Sequence, residues 1–211
     1  MSMLEGIEPE RMLKMTPQEE RWLENVKKGF HESDLAVKDG KASDKCMEEL
    51  FKALDAAKNL RRSMLDGAAQ KANQRKQYIE FIELSVPSPE KGGMSMPLTD
   101  ARTGESKSYS FAELVYDARC MLVLENENLN AEENPDYHIQ FDWNSTPQSH
   151  FLGHVTDGRL VANGFLIWNR VRQLLATFIT GIDGMISFQK NGSFSFTCEP
   201  ELGSVKPSNR Q

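Results

Sequence analysis

Residues 110–130 read SFAELVYDARCMLVLENENLN. Ser110 stands three residues ahead of Glu113, the spacing of a capping box, in which each side chain satisfies a backbone amide left free at a helix start. Phe111, Leu114, Val115, Ala118 and Leu122 then recur at three- and four-residue intervals, which gathers them into one apolar stripe on a helix. Arg119 falls at the edge of that stripe, where an arginine most simply pairs with a nearby carboxylate. Asn126, Asn128 and Asn130 close the pattern with residues that favour caps and turns. The stretch predicts a capped, core-facing helix with a polar exit.

Upstream, the pattern is also helical. Thr16, Pro17 and Glu19 combine an N-cap, a proline at the first helical position and a capping-box glutamate. Trp22, Leu23, Val26 and Phe30 supply the apolar face of this first helix. Asp39-Gly40 signals a turn. A second helix starts at Ser43, with Met47, Leu50, Phe51, Leu54, Ala57, Leu60 and Met64 on one stripe and Gly67 as its C-cap. The two should pack as an antiparallel hairpin. A third helix is expected over 68–84 with Tyr78, Phe81 and Ile82 inward, although YIEFIEL also alternates as a strand would. Residues 87–109 are rich in Gly, Pro and Ser and read as a long loop, with a small hairpin turning at Thr103-Gly104 or a flexible connector as the alternatives.

Downstream, DYHIQFDW and HFLGHV alternate apolar and polar residues as half-buried strands do, and Asp157-Gly158 turns into RLVA. Residues 165–179 form a further helix with the broad apolar face Leu166, Ile167, Val171, Leu174, Leu175 and Phe178, suited to a core or a dimer interface. MISFQKNGSFSFTC reads as a terminal hairpin around Asn191-Gly192. The expected fold class is therefore α+β, mainly α: a helical bundle with small C-terminal β-hairpins. Its expected parts are a flexible N-terminus (1–15), the helical hairpin and third helix (16–86), the loop (87–109), the second helical and β part (110–199) and a disordered tail (200–211).

Composition narrows the function. The 211 residues carry 31 acidic and 25 basic side chains, a net charge of −6, which argues against a general nucleic-acid coat but leaves room for a small local RNA site. No apolar run approaches the ~20 residues that cross a bilayer, and the N-terminal residues lack a secretory core, so no membrane partner and a cytoplasmic location are expected. Cys46, Cys120 and Cys198 are widely spaced, with no C-x-x-C pair, and read as buried reduced thiols. The basic groups Lys58, Arg61 and Arg62, and Lys71, Arg75 and Lys76, lie near acids and read as solvated helix faces. No phosphate-binding glycine loop, dinucleotide fingerprint or nucleophile elbow occurs.

The segment RCMLVLENEN, Arg119–Asn128, resembles the core helix of the HEPN superfamily (higher eukaryotes and prokaryotes nucleotide-binding), in whose bacterial branches an RC-x-x-x-H-E pattern occurs. Arg119 and Cys120 match its start and Glu125 its end, while Leu124 occupies the histidine position. The order that follows, strands and then an apolar helix, is similar too, over residues 110–180. The resemblance implies two subunits that bring these helices together, through 110–126 and 165–179, and an arginine that holds RNA phosphate. Its histidine would supply the neutral-range proton transfer of metal-free cleavage, which leucine cannot do. A non-catalytic, pseudo-ribonuclease-like module is therefore expected, dimeric and binding RNA or protein, in a bacterial defence or toxin–antitoxin-like context, with Arg119, Glu125 and Asn126 as the candidate site. One alternative is a metal-free endoribonuclease that recruits His138 or His154 as base; another is a structural subunit of a larger assembly. His138, His150 and His154, with Asp136 and Asp142, form a weak metal candidate. No cofactor is expected.

Overall fold

The structure is a computed structural model that describes residues 3–66, 73–86, 95–99, 106–123, 135–144, 152–156 and 159–191. It is a mainly helical α+β fold. Along the chain run α1 (Pro9–Met12), α2 (Pro17–Lys38), α3 (Asp44–Asp66), α4 (Gln74–Glu83), β1 (Ser95–Thr99), β2 (Ser106–Ser110), α5 (Phe111–Val123), β3 (His138–Asp142), β4 (Leu152–Thr156), β5 (Arg159–Asn163) and α6 (Gly164–Asn191). Among the described residues, no helix is long and apolar enough to cross a membrane.

The α2–α3 hairpin forms as its sequence predicts. At the start of α2, Thr16 Oγ1 accepts from Glu19 N–H and Glu19 Oε2 accepts from Thr16 N–H at 2.7 Å, closing the capping box. Contacts pair the helices in opposite senses: Ser63 donates to Glu19, Gly29 abuts Ala53, and Ser33 donates to the Cys46 carbonyl. Gly29 allows the closest approach, because a Cβ there would lie 2.7 Å from the Glu49 carbonyl oxygen and 3.0 Å from the Ala53 Cβ. Packed against this pair, α6 buries Ile167, Trp168, Val171, Leu174, Leu175, Phe178 and Ile182. Trp168 Nε1–H donates to Ser33 Oγ at 2.8 Å, and Arg172 pairs with Asp34.

The segment YIEFIEL resolves as helix in α4, whose Tyr78, Phe81 and Ile82 are buried. Asn73 caps it by accepting from Lys76 N–H at 3.2 Å. β1 and β2 then pair antiparallel, Thr99 opposite Ser106, which leaves the Thr103-Gly104 turn outside the described residues. The second sheet has the order β3-β5-β4: β4 and β5 are antiparallel, as a hairpin would be, but β5 runs parallel to β3. Asn163 ends β5 and caps α6, its Oδ1 accepting from Leu166 N–H at 3.1 Å.

Two expectations fail. The N-terminus is not a loose arm: Met3, Leu4, Ile7 and Met12 are buried, and Arg61 donates to the Met3 carbonyl at 2.6 Å. Four apolar side chains in so short a segment supply enough burial to order it. The terminal hairpin around Asn191-Gly192 is also absent, since 185–191 continue α6. Phe178, Ile182, Met185 and Ile186 carry the helical stripe onward at three- and four-residue spacing, so the alternation in MISF fitted both periods and the preceding helix decided between them. Gly192 and the 200–211 tail lie outside the described residues.

Candidate functional site

The α5 helix is built as its sequence requires. Ser110 Oγ accepts from Glu113 N–H at 3.1 Å, and Glu113 Oε2 accepts from Ser110 N–H at 2.7 Å. Every residue from Phe111 to Cys120 except Glu113 is buried. Arg119 is among them, at 5% exposure. Its Nε–H donates to both Asp55 oxygens, at 2.7 and 2.9 Å, and its guanidinium carbon lies 5.0 Å from the centre of the Tyr78 ring. Burial opposes the arginine charge, but the facing Asp55 outweighs it and raises the guanidinium pKa.

Asp55 belongs to a polar file along α3. Asp55, Lys58 and Arg62 recur at three- and four-residue spacing beside the apolar stripe, so all three face α4 and α5. Lys58 is 9% exposed, and among the described residues no carboxylate lies within ion-pair distance of it. Its ammonium sits 5.5 Å from the same Tyr78 ring centre. Burial lowers the Lys58 pKa; Asp55 opposes this, while the Arg119 and Arg62 charges add to it. Arg62 donates to Gln77 Oε1 at 2.6 Å from the side of α4. Tyr78 is fully buried and packs edge-on against Tyr116 at 5.7 Å. Its hydroxyl has no partner. Burial pushes its phenol well up, with Asp55 adding and Arg119 opposing.

On the neighbouring side of α5, Asp117 is fully buried. Its Oδ2 accepts from the Tyr109 hydroxyl and from the backbone N–H groups of Asp136 and Tyr137, at 3.1 and 3.2 Å. Its Oδ1 has no partner. Burial raises this carboxyl to about 6; the Tyr109 hydrogen bond and Arg75 pull it down, and Asp136 pushes it up. Arg75 reaches Asp136 at 2.8 Å and lies over the Tyr116 ring. Asp117 thus ties β2 and the entry to β3 onto α5.

Of the residues singled out from sequence, Arg119 is placed against Asp55 and Tyr78, while Leu124, Glu125 and Asn126 lie outside the described residues. His138 projects from β3 as an exposed side chain, alternating with buried Ile139 and Phe141. Asp136 is engaged by Arg75, and Asp142 Oδ1 accepts from Asn144 N–H at 2.8 Å. His150 and the His154 side chain are outside the described set. Among the described residues, no group of three His, Cys, Asp or Glu converges as metal ligands. Cys46 and Cys120 are free, buried thiols, as their spacing suggested, and burial raises both.

The basic groups divide. Lys76 is exposed, 4.0 Å from Glu80, as a solvated face would have it. Lys58, by contrast, is interior. Asp55, Lys58, Tyr78 and Asp117 were missed as site residues; the signal available was the 55-58-62 file, whose three polar residues sit next to the strongest apolar stripe of the chain. A groove of about 200 Å³ lies elsewhere, between α2 and α6, lined by Lys27, Phe30, Ala176, Ile179 and Thr180. Its one charge is already bound to Asp183 at 2.7 Å. No protein-family model, no curated protein and no solved structure matches the chain.

Proposed function

We propose that the chain is a non-catalytic, HEPN-like module that binds RNA through the junction of α3, α4 and α5. The observation that carries this reading is the meeting of Lys58 and Arg119 at the Tyr78 ring, with Asp55 between them and Arg62 close enough to act on Lys58. In a chain of net charge −6, such a cluster is a local positive field, and phosphate is the RNA group that local positive charge attracts. The motif residue Arg119 lies on α5, and Glu125 follows six residues on in the sequence. Leu124, at the histidine position, has no proton to exchange, so binding without cleavage follows.

The same reading carries a homodimer through α5 and α6. Both helices spend most of their apolar stripe inside the protomer, but Met121, Leu122 and Val123 on α5, and Leu166 and Ile179 on α6, stay half-buried and are the surface such a dimer would use. A cytoplasmic protein of a bacterial defence or toxin–antitoxin-like system is the setting that the resemblance suggests.

The test is binding of a mixed RNA pool at graded salt by the wild type and Arg62→Ala, with cleavage read in the same tubes. The expected result is uncut RNA, affinity that falls with salt, and a salt slope smaller by about one in the variant. RNA left unbound at low salt, or cut by the wild type, sinks the reading.

A further inference from the structure

The Tyr78 junction holds more donors than acceptors. Around it lie a guanidinium whose Nε is spent on Asp55, an ammonium with three N–H groups and no carboxylate within reach among the described residues, and a fully buried hydroxyl with no partner. Buried polar groups are almost always satisfied, and an ammonium can only donate. Arg119 holds both Asp55 oxygens, and Asp55 acts on Lys58 only through space, with no ion pair between them among the described residues. What would complete the set is a ligand group that only accepts hydrogen bonds and carries negative charge.

We infer that Lys58 and Tyr78 form an oxyanion site that takes one phosphate group, with Lys58 as its anchoring cation and Arg119 as a positioning residue locked by Asp55. The inference deepens the RNA-binding reading and rests on it for the source of the phosphate. It reverses the roles that the motif alone implies. The Arg119 guanidinium is already engaged at 2.7 and 2.9 Å and lies across the Tyr78 ring; it holds the ring and Asp55 in place. Lys58, reaching the ring from α3 at 5.5 Å, keeps its donors for the ligand. Phosphate is favoured over a carboxylate because its oxygens point in several directions and meet donors from separate helices, α3 and α4, at once.

The experiment is thermal unfolding of the full chain in graded inorganic phosphate against chloride at matched ionic strength, for the wild type, Lys58→Met and Tyr78→Phe, followed by RNA-pool binding for each. A ligand that binds only the folded state raises the midpoint, so phosphate should raise that of the wild type. Lys58→Met keeps the apolar stem of the side chain and should fold; its phosphate shift should vanish, and its RNA affinity should fall about tenfold or more, the scale of a lost charged hydrogen bond. Tyr78→Phe should fold, with a smaller phosphate shift. This second variant decides the matter if Lys58→Met fails to fold: a phosphate shift equal to the wild type's would overturn the inference. So would equal wild-type midpoints in phosphate and chloride, or an undiminished shift in Lys58→Met. RNA binding by the wild type without a phosphate shift overturns the inference and leaves the RNA reading standing. A Lys58-dependent phosphate shift without RNA binding keeps the site, with free phosphate as its ligand, and removes the RNA reading.

Discussion

Glu19 and Asp117 are both fully buried carboxylates, and their pKa values move in opposite directions. In the α2–α3 hairpin, Glu19 Oε1 accepts from Arg11 at 2.6 Å and Ser63 at 2.7 Å, while Oε2 accepts from Thr16 N–H. Burial alone would raise it, but these donors together bring it below its ordinary value. In the α4–α5–β3 corner, Asp117 crowds its three donors onto one oxygen and leaves the other bare, so burial wins and the carboxyl rises to about 6. Depth does not decide what a buried charge does; the distribution of its partners does. The start of the hairpin has its buried charge answered. The corner, with Asp117, Tyr78 and Lys58, does not, and that is where chemistry rather than architecture is to be sought.

The strongest way to break this contrast is Glu19→Ala. It removes a cap, an ion pair and the acceptor of the half-buried Ser63 hydroxyl together, and should cost about 4 kcal/mol in urea unfolding. Next is Arg119→Ala, which takes from Asp55 the guanidinium that holds both its oxygens and should cost about 3 kcal/mol. Arg119→Met combined with Asp55→Leu should recover part of that loss, because both members of the pair are then gone, although Lys58 loses the nearby Asp55 charge. If the double variant is no better than the single one, the pair is more than a balanced ion pair and the description of Arg119 as a positioning residue fails.

Gly29→Ala tests the hairpin by shape instead of charge. The new Cβ would meet backbone, the Glu49 carbonyl oxygen at 2.7 Å, and backbone in a packed helix pair does not yield cheaply; about 2 kcal/mol is expected from the same unfolding measurement. Gly181→Ala is the control. Its Cβ would meet the tip of the Leu4 side chain, which can rotate away, so a loss as large as that of Gly29→Ala would show that the N-terminal segment is packed more rigidly than its side chains require.

What the sequence disclosed follows the same division. Local chemistry was legible: both capping boxes, at Thr16 and Ser110, form as their spacing predicts, and the stripes of α2, α3, α5 and α6 bury most of the residues named, with Trp22, Phe30, Leu122 and Leu166 half-buried. Pairings across the chain were not. Asp55 and Arg119 are 64 residues apart, and nothing local in either helix names the other. The parallel β3–β5 register was hidden because alternation marks a strand but not its neighbour. Lys58 was read as a solvated face because a lysine among acids usually is one; only the arrival of α4 and α5 over α3 makes it interior. Arg119 was legible as a residue of interest, and its carboxylate partner as a type, but the donors around Tyr78 exist only in three dimensions.

Asp117 predicts a pH dependence with a defined sign. Its folded pKa of about 6 lies above the ordinary 3.8, so the folded state binds the extra proton between those values and stability increases as pH falls through that window. From pH 7 to pH 5 the gain is about 1 kcal/mol. Glu19 and Asp34 act the other way, since both are lowered, but their stabilisation is lost only below their ordinary values of 4.5 and 3.8. Unfolding midpoints measured at pH 7 and pH 5 should therefore rise for the wild type and stay level for Asp117→Asn. A wild type that loses stability over this interval would remove Asp117 from the set of unanswered charges.

The smallest effect is expected where the geometry looks as good as any in the molecule. Lys27 Nζ lies 2.7 Å from Asp183 Oδ1, the same separation as Arg119 Nε from Asp55 Oδ1. The side chains of the first pair are 45% and 50% exposed; those of the second are 6% and 19%. Water screens the first charge pair in both folded and unfolded chains, and holding two long side chains in one arrangement offsets what attraction remains. Lys27→Ala should therefore change stability by no more than about 0.5 kcal/mol, and by nothing measurable in high salt, whereas the cost of Arg119→Ala should survive the salt. If the two substitutions prove equal, burial is not what separates the hairpin from the corner.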